Sequence, residues 1–590
     1  MTMKTKIFFL LSIFLNLTFA INGQTKSKEE TFLGIGSGSR KIAKSTKRAI
    51  IPLHVDSTME MEEIKYYLEP KQQQVTYEIE NIKPARLKVV EPLEKLYSGY
   101  VKAAAGSYLT PLLNFNYSSL RSKYDSWGIK GDFQSSFGNI KEMGNTNFTD
   151  LGIGGYFQKF FNDHDLWAEI DYKKNSFNFY GLDYSDTLLN LLKDRENIFN
   201  QNYDLFDAHV KFNSKNNGRD TNKLRYQTWL NLHRLSSRYQ MVENYLLLGA
   251  HSGWVIMDEE FLGTFELDIN NLSQPSLSLD TNDVIVSENQ VPNTTAVIRF
   301  NPHIYTRKNN LIAKVGVSLQ ANINDKSNFK FFPDVEVSYS LFNNVFIPYG
   351  GLKGNIERNT FNNLRNQNPY LSEDSEILNT INRVNLFFGV RGSMSNNFTF
   401  NISTKFEKFD DFCLFTPDTI SSYENKFKVT YDKLDRAVIA GEITYQQDEK
   451  LKIFSKLELF NYSTSNEKYA WQRPNSILTF GSVLDLADKI TVKGDVFFIG
   501  SRNVYSYNMP SENKNIRTNE NGNIIFDYSN SRYIYELKPF IDMNLSVEYR
   551  YNKKVSAFIQ FNNFTARKYQ FWTNFPVQSI NIMGGVNISF

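Results

Sequence analysis

The last eleven residues are Ile580-Asn-Ile-Met-Gly-Gly-Val-Asn-Ile-Ser-Phe590, and their pattern is the clearest indication of the fold. Apolar side chains occupy the even positions 580, 582, 586, 588 and 590, whereas Asn581, Asn587 and Ser589 occupy odd ones. A repeat of two is the period of a β-strand with one apolar and one polar face. Behind an export signal, in an aromatic-rich chain, a strand ending on an aromatic residue is typical of the last strand of an outer-membrane barrel. We therefore predict an all-β fold, a transmembrane antiparallel β-barrel.

The first 23 residues have the pattern of an export signal. Lys4 and Lys6 precede a nearly unbroken apolar run, 7–19, and small or polar residues follow it. The run is too short and too close to the start for a transmembrane helix. We predict a signal peptide over 1–23, cleaved after Ala20 or Gly23, and an outer-membrane location for the mature chain. No cysteine lies near either cleavage position, which excludes a lipoprotein anchor there.

The composition also favours a barrel. After residue 20 the sequence holds no apolar run of the roughly 18 residues that a membrane-spanning helix requires. Aromatic residues make up 15% of the chain, with 48 Phe and 33 Tyr, which suits a lipid-facing band, interfacial girdles and a polar lumen. The net charge of +3 gives no indication of nucleic-acid binding. Cys413 is the single cysteine, so no intramolecular disulfide can form.

Polar connections divide the chain into strand-sized segments. Short turns are predicted at 162–164, 307–310, 342–344, 394–397, 446–450, 487–489 and 552–553. Longer polar connections are predicted at 181–202, 270–293, 358–381, 409–425, 463–474 and 501–539. Short and long connections alternate from residue 160 onward, and bacterial barrels place their short turns in the periplasm. The C-terminus and the short turns are therefore predicted to lie on the periplasmic side.

Counting back to Gly99 gives about 22 strands, provided that 109–111 is a tight turn and 426–445 is one strand. The pattern is compatible with about 16 to 22 strands, because boundaries read from one sequence are weak. We assign 96–590 to the barrel. Residues 24–95 carry a Gly/Ser segment and a basic run, and we predict a short extension that is periplasmic or folded into the lumen.

Both ends of the barrel region resemble a known family. The last part contains Asn562-Asn-Phe564, Lys568-Tyr-Gln-Phe-Trp572, Phe575-Pro576 and Met583-Gly-Gly-Val586. The first part contains Lys95-Leu-Tyr-Ser-Gly99 and Tyr108-Leu-Thr-Pro111. These stretches resemble the barrel of TonB-dependent receptors, in the version found in Bacteroidota. The resemblance implies a 22-stranded barrel in the outer membrane.

The sequence departs from that family before the barrel. The family's receptors carry a full plug domain there, and residues 24–95 are too few for one, so we expect a receptor-like barrel without a full plug. This leaves open whether TonB is a partner; 47–55 (KRAIIPLHV) could add to a partner sheet as a strand or be an ordinary linker. Known barrels of this width are plugged. We therefore expect closure by residues 24–95, by infolded loops or by a separate partner.

The sequence shows no pattern of catalysis. Six histidines are scattered without a metal-ligand spacing, and His251 and Ser252 point to opposite faces of a strand. Gly34–Gly38 lacks the features of a phosphate loop, and 519–523 places its glycine too early for an EF-hand. We predict no enzyme, no cofactor and no metal site.

Ligand binding is predicted in the outer loops, where aromatic side chains stand among amides and could hold a sugar or peptide. The candidate residues are Tyr469, Trp471, Tyr505, Tyr507, Tyr528, Tyr533 and Trp572. An interfacial girdle is the alternative interpretation of the same aromatics. The expected function is transport across the outer membrane or a part in a membrane complex; the alternative is a non-transporting scaffold barrel of an envelope assembly or secretion complex. The expected partners are outer-membrane lipids, the barrel-assembly machinery, which would recognise the strand ending at Phe590, and envelope proteins.

Overall fold

The computed structural model describes residues 96–590 without 142, 182–198, 216–223, 257–258, 280–283, 324–327, 420–421, 423, 508–515, 519–523 and 527–531. The predicted signal peptide and N-terminal extension, 1–23 and 24–95, lie outside the described residues. No helix within the described part is long and apolar enough to cross a membrane.

The described residues form strands almost throughout. The first fourteen strands are β1 Gly99–Gly106, β2 Thr110–Ser118, β3 Asp125–Ser136, β4 Phe148–Phe160, β5 His164–Asn178, β6 Asn200–Ser214, β7 Arg225–Ser237, β8 Val242–Ile256, β9 Glu259–Leu279, β10 Val284–Lys308, β11 Leu311–Ile323, β12 Asn328–Tyr339, β13 Ile347–Glu357 and β14 Thr380–Ser395. The others are β15 Phe398–Pro417, β16 Phe427–Gln447, β17 Leu451–Thr464, β18 Ser476–Leu486, β19 Ile490–Ile499, β20 Arg502–Ser506, β21 Ile516–Thr518, β22 Ile524–Phe526, β23 Tyr533–Leu537, β24 Phe540–Arg550, β25 Val555–Asn562, β26 Gln570–Trp572, β27 Phe575–Pro576 and β28 Asn581–Ser589. A short helix, α1, covers Phe361–Gln367, and a single 3₁₀ turn covers Ser107–Leu109.

Twenty-two of these strands close into one antiparallel barrel, which confirms the predicted fold and strand number. Each barrel strand pairs with the next along the chain, and β1 pairs with β28 to close the ring. Gly99 N donates to Phe590 O at 2.9 Å and Phe590 N to Gly99 O at 3.0 Å, so the barrel begins and ends at the same rim. The remaining strands, β20–β23, β26 and β27, are small hairpins in the connections.

The alternation predicted for the last strand is present. Ile582, Val586 and Ile588 are 43%, 42% and 41% exposed on the outer face, whereas Met583 on the opposite face is buried. Outward apolar side chains recur around the ring, as at Phe388 in β14. The inner face instead carries ion pairs, among them Lys314–Asp334 at 2.6 Å, Arg436–Glu407 at 2.7 Å and Lys353–Glu336 at 2.8 Å. An apolar outside and a charged inside are what a bilayer-spanning barrel requires.

The two rims differ. One rim, the turn end, carries the chain ends of the barrel and turns such as 309–310, 396–397 and 487–489. The other rim, the loop end, carries 179–199, 358–379, 418–426, 465–475, 500–539 and 563–580. All seven predicted short turns lie at the turn end, together with the C-terminus, as predicted.

Four details of the predicted connections are wrong. Residues 270–293 are mostly strand, because β9 and β10 continue as one long hairpin, and 409–417 belong to β15. Above the bilayer both faces of a strand can be polar, so the apolar alternation that reveals a spanning strand disappears. Alternation of short and long connections also fails early in the chain, since 238–241 is a tight link at the loop end. The tight turn predicted at 109–111 is centred instead on Tyr108 and Leu109, at φ 59° and 49°.

Candidate functional site

Three connections of the loop end meet through aromatic rings. Tyr180 follows β5, Tyr370 lies between β13 and β14, and Phe575 lies between β25 and β28. The rings of Tyr370 and Phe575 stack at 3.5 Å between centroids, and Tyr180 lies 5.1 Å from Phe575 and 6.0 Å from Tyr370. The Tyr180 hydroxyl donates to Pro576 O at 3.1 Å and accepts from the Tyr370 hydroxyl at 3.3 Å. We call these three residues the closing triad.

The position of the closing triad defines what it does. Its three connections leave the barrel roughly a third of the ring apart. With strands about 4.8 Å apart and tilted, a ring of 22 strands is about 40 Å wide. Segments that leave from such distant parts of the wall can touch only by crossing the lumen. The closing triad therefore lies over the lumen at the loop end.

The connection 358–379 supplies most of this closure. Thr360 is extended and accepts a hydrogen bond from Asn363 N at 3.0 Å, which is the N-cap that starts α1. Phe361 and Leu364 share one face of the helix and are both fully buried. They join one apolar cluster, which contains Tyr203, Leu205, Leu235, Met241, Leu272, Phe361, Leu364, Leu371, Cys413, Phe415, Phe427, Trp572 and Phe575. We call it the closing cluster.

Glu243 anchors α1 to the barrel wall. This β8 carboxylate is fully buried and accepts from Phe361 N at 2.5 Å and from Asn362 N at 3.1 Å. His233 Nε2 lies 3.0 Å from it, and Asn270 Nδ2 donates to it at 3.3 Å. A carboxylate at the first turn of a helix satisfies N–H groups that have no partner within the helix. The wall thus supplies the polar contact that a buried helix start requires.

The long β9–β10 hairpin holds the rest of this connection. Gln274 Nε2 donates to Glu373 O at 2.7 Å and to Ser375 O at 2.6 Å. Arg358 Nε forms a buried ion pair with Asp268 Oδ1 at 3.1 Å, and Arg358 Nη2 donates to Thr295 O at 3.0 Å. The connection 358–379 therefore packs against the β9–β10 hairpin, including the part that the sequence pattern did not predict as strand.

The connection 563–580 closes the lumen from another part of the ring. Its β26–β27 hairpin places Trp572 against Phe415 and Phe427, at 5.2 Å and 5.6 Å between ring centroids. The buried Arg502 guanidinium donates to Gln570 O at 2.9 Å and also to Phe571 O. Burial lowers the pKa of Arg502 to about 10. Its backbone contacts fix the hairpin that carries Phe575.

A buried acid and a buried base add polar contacts to the closure. Gln201 Nε2 donates to Glu373 Oε1 at 2.5 Å. Lys426 Nζ lies 4.7 Å from the Phe179 ring centroid and 5.0 Å from that of Tyr239. Burial raises the pKa of Glu373, and the Lys426 charge opposes this shift. Burial lowers the pKa of Lys426, and Glu373 opposes that shift in turn. Both pKa values thus move toward the neutral forms, because burial outweighs the attraction between the two groups.

The structure places the predicted ligand residues in different settings. Trp471, Tyr505 and Trp572 are buried at 1%, 4% and 8% exposure, Tyr469 and Tyr507 are half-buried, and Tyr533 is 40% exposed. Tyr528 lies outside the described residues. Trp471 and Tyr505 pack edge to face at 4.7 Å, and with Tyr469 and Tyr507 they belong to one cluster over β15 and β16. Trp572 belongs to the closing cluster instead. Ligand contact by these residues stays a prediction.

A polar cleft opens beside Tyr469. It lies between the connection 465–475 and β20 and has a volume of about 430 Å³. Its lining includes Phe460, Tyr462, Lys468, Tyr469, Asn475 and Asn503. The Phe460 and Tyr462 rings stack nearly parallel, at 9°. Aromatic faces next to amides and a cation can bind a polar ligand with ring or amide groups.

The closing triad, Glu243 and α1 are not among the features that the sequence predicts. The sequence does contain a pattern that could have indicated α1. Residues 358–379 are mostly polar, yet Phe361 and Leu364 are spaced as on one face of a helix, and Leu371 adds a third apolar side chain. No sequence pattern identifies Glu243, since a single carboxylate in a barrel strand is equally typical of a lumen-facing residue. Among the described residues no group of three His, Cys, Asp or Glu side chains could hold a metal ion.

Comparison with known proteins gives likeness at the level of structure. No family model and no curated protein matches the sequence. The pyoverdine outer membrane receptor FpvA of Pseudomonas aeruginosa is 12% identical, with a TM-score of 0.61 over 84% of this chain and 79% of that one. The FrpB iron transporter of Neisseria meningitidis is 10% identical, with a TM-score of 0.60 over 84% and 82%. The ferric-catecholate import receptor Fiu of E. coli is 8% identical, with a TM-score of 0.59 over 84% and 82%.

Identities this low establish the fold and nothing finer. The likeness to these receptors and this transporter, together with the 22 strands of the ring, confirms the barrel architecture that the resemblance implied. The chain folds as a 22-stranded barrel and shares its fold with these outer-membrane proteins.

Proposed function

We propose that this chain is an outer-membrane transport barrel whose own loops form the barrier at the loop end. The observation that carries the proposal is the closing triad, in which three connections from distant parts of the wall meet over the lumen. A barrel of 22 strands encloses a lumen wide enough to leak solutes unless it is occupied or covered. Loops that cover a wide lumen are expected in a barrel through which a solute passes under control.

The similar solved structures support uptake as the direction of transport. They are named as a pyoverdine receptor, an iron transporter and a ferric-catecholate import receptor. By analogy with these proteins, we propose that this chain imports a solute from outside the cell. We also propose that TonB supplies the energy for import and that the barrel acts in a complex with other envelope proteins. Insertion by the barrel-assembly machinery through the strand ending at Phe590 belongs to the same proposal.

For ligand capture we propose the polar cleft beside Tyr469. Its stacked Phe460 and Tyr462 rings offer apolar faces, and Asn475 and Asn503 offer amides. Lys468 adds a positive charge at the rim. In this proposal Tyr469 and Tyr533 contact ligand, while Trp471, Tyr505 and Tyr507 support them from the cluster below.

Single-channel recording on the full chain in planar bilayers tests the closure. We expect low conductance for the wild type and a several-fold larger conductance for Tyr370→Ala with Phe575→Ala, because both rings at the stacked contact are lost. Phe342→Ala, at a 76% exposed position of the turn end, is the matched control and should conduct like the wild type. A wild type that conducts as freely as the double variant would contradict closure by these loops.

Ligand uptake is tested separately, in cells that carry or lack TonB. If the barrel imports a solute, growth or accumulation on that solute should require both this chain and TonB, and Tyr469→Ala should weaken it. The second candidate function, a scaffold, is favoured by the density of buried contacts in the closing cluster, which suits a lumen that stays shut. A scaffold should co-purify with envelope proteins at fixed stoichiometry and be indifferent to TonB.

A further inference from the structure

An outward-facing trough crosses four strands in the half of the barrel near the turn end. The strand register places three small residues side by side: Ser252 in β8 pairs with Gly263 in β9, which pairs with Pro302 in β10. These positions share the outer face with Trp254 and Phe261, because residues two apart along a strand point the same way. The row of small residues is therefore a depression in the lipid-facing surface.

Large side chains form the two walls of this depression. On the turn-end side, Trp254 pairs with Phe261, and Phe261 pairs with Ile304. On the other side, Phe265 pairs with Phe300. The exposed fractions are 52% for Trp254, 43% for Phe265 and 45% for Phe300, so the walls stand out from the sheet. Val315 and Val317 of β11 close one end.

The trough has the size and chemistry of a lipid-chain site. Its volume is about 590 Å³, within the range of small-molecule pockets. Ser252 is its one outward polar side chain among the described residues that line it. A Cβ added at Gly263 would meet no atom within 4 Å, so the floor is open. Outward apolar residues around the whole ring make the trough continuous with the surface that contacts lipid.

We propose that this trough binds one acyl chain of a phospholipid from the leaflet at the turn end. Gly263 lies four residues after the start of β9, about 10 Å from the rim for a tilted strand, which is within one leaflet. Lys308 and Glu259 pair at 2.5 Å at that rim, and the Lys308 side chain is 71% exposed, where a headgroup phosphate would lie. The proposal does not depend on the proposed transport function.

Filling the trough tests the proposal. Gly263→Leu adds a side chain whose Cβ meets no atom within 4 Å, and Ser252→Leu fills the neighbouring position of the row. The matched control is Gly441→Leu in β16, which also meets no atom within 4 Å and lies between the outward Ile439 and Ile443, far from the trough. Heat-modifiable migration of each variant in gels verifies that the barrel is folded.

The measurement is native mass spectrometry of the full chain, extracted in mild detergent and exchanged with phosphatidylethanolamine and phosphatidylglycerol. We expect one retained phospholipid per wild-type or Gly441→Leu barrel, and retention at least about ten-fold weaker in both filling variants. Equal retention in all four proteins, or none in the wild type, would overturn the proposal. Retention of lipopolysaccharide instead of phospholipid would overturn it as well, because that lipid belongs to the other leaflet.

Discussion

The turn end and the loop end close the same 22-stranded sheet by different means. At the turn end, 309–310 and 396–397 reverse the chain within a few residues, and Phe342 and Met394 are 76% and 67% exposed there. At the loop end, long connections bury aromatic residues as fully as a domain interior does: Phe361 is 0% exposed and Phe575 is 2% exposed.

The difference shows which problem each rim solves. A turn has to reverse direction, and local backbone rules are enough: Asn309, Phe342 and Ala487 have positive φ values of 52°, 51° and 53°. The loop end has to cover a wide lumen, which only contacts between distant connections can do. It therefore contains a second apolar core, the closing cluster, with its own buried polar anchors. We expect the loop end to fail locally when an anchor is removed, while turn-end changes stay local and small.

The largest effect is expected from Glu243→Ala. The substitution leaves the Phe361 and Asn362 N–H groups buried without an acceptor, and it removes the partner of His233. Breaking a buried polar contact of this kind costs about 3–5 kcal/mol. We expect 358–379 to detach from the wall while the barrel stays folded. Hydrogen exchange with peptide-level readout should show loss of protection in that segment.

Asp485→Ala at the turn end is the control for this prediction. Asp485 pairs with Arg550 at 3.0 Å, with side-chain exposures of 16% and 44%. A half-exposed pair of this kind contributes about 0.2–1 kcal/mol, so exchange in 358–379 should not change. Equal loss of protection from both variants would mean that the two rims are not independent.

The next effect is expected from Leu364→Ala. Leu364 is 0% exposed in the closing cluster, and truncating a buried leucine costs about 2–5 kcal/mol. Cys413, the single cysteine of the chain, is 6% exposed in the same cluster and reports its opening. A loss of about 3 kcal/mol should speed maleimide labelling of Cys413 by roughly a hundred-fold. Phe342→Ala should leave the rate unchanged; an unchanged rate in Leu364→Ala itself would exclude a cooperative closing cluster.

The barrel could be predicted from the sequence because lipid imposes a strict alternation. Ile582, Val586 and Ile588 show it in the last strand, and counting such segments gave the observed strand number. The short turns followed from local chemistry. Above the bilayer this signal ends, so the pattern predicts a loop over the upper part of β9, although Gln274 lies there on a regular strand.

The closure could not be predicted, because its contacts join residues far apart in sequence. Tyr180 lies in the first third of the chain and Phe575 near its end, and nothing local to either residue indicates the other. The same limit applies to the predicted ligand aromatics. Their composition indicated a binding surface, but Trp471 and Tyr505 are buried by packing, whereas Tyr469 adjoins a cleft. Composition identifies residue types that suit a role, whereas burial is decided by tertiary contacts.

The smallest effect is expected at the turn between β18 and β19. Ala487 and Asp488 have φ values of 53° and 58°, a pair typical of a type I′ turn, which favours Asn followed by Gly. Ala487→Asn with Asp488→Gly should relieve the left-handed strain and stabilise the barrel by about 1 kcal/mol. The measurement is the urea midpoint of unfolding in detergent, which should rise. Cys413 labelling should stay at the wild-type rate, because this turn shares no contact with the closing cluster. A changed labelling rate would show that strain at one rim reaches the other, and the two rims would then have to be treated as one cooperative unit.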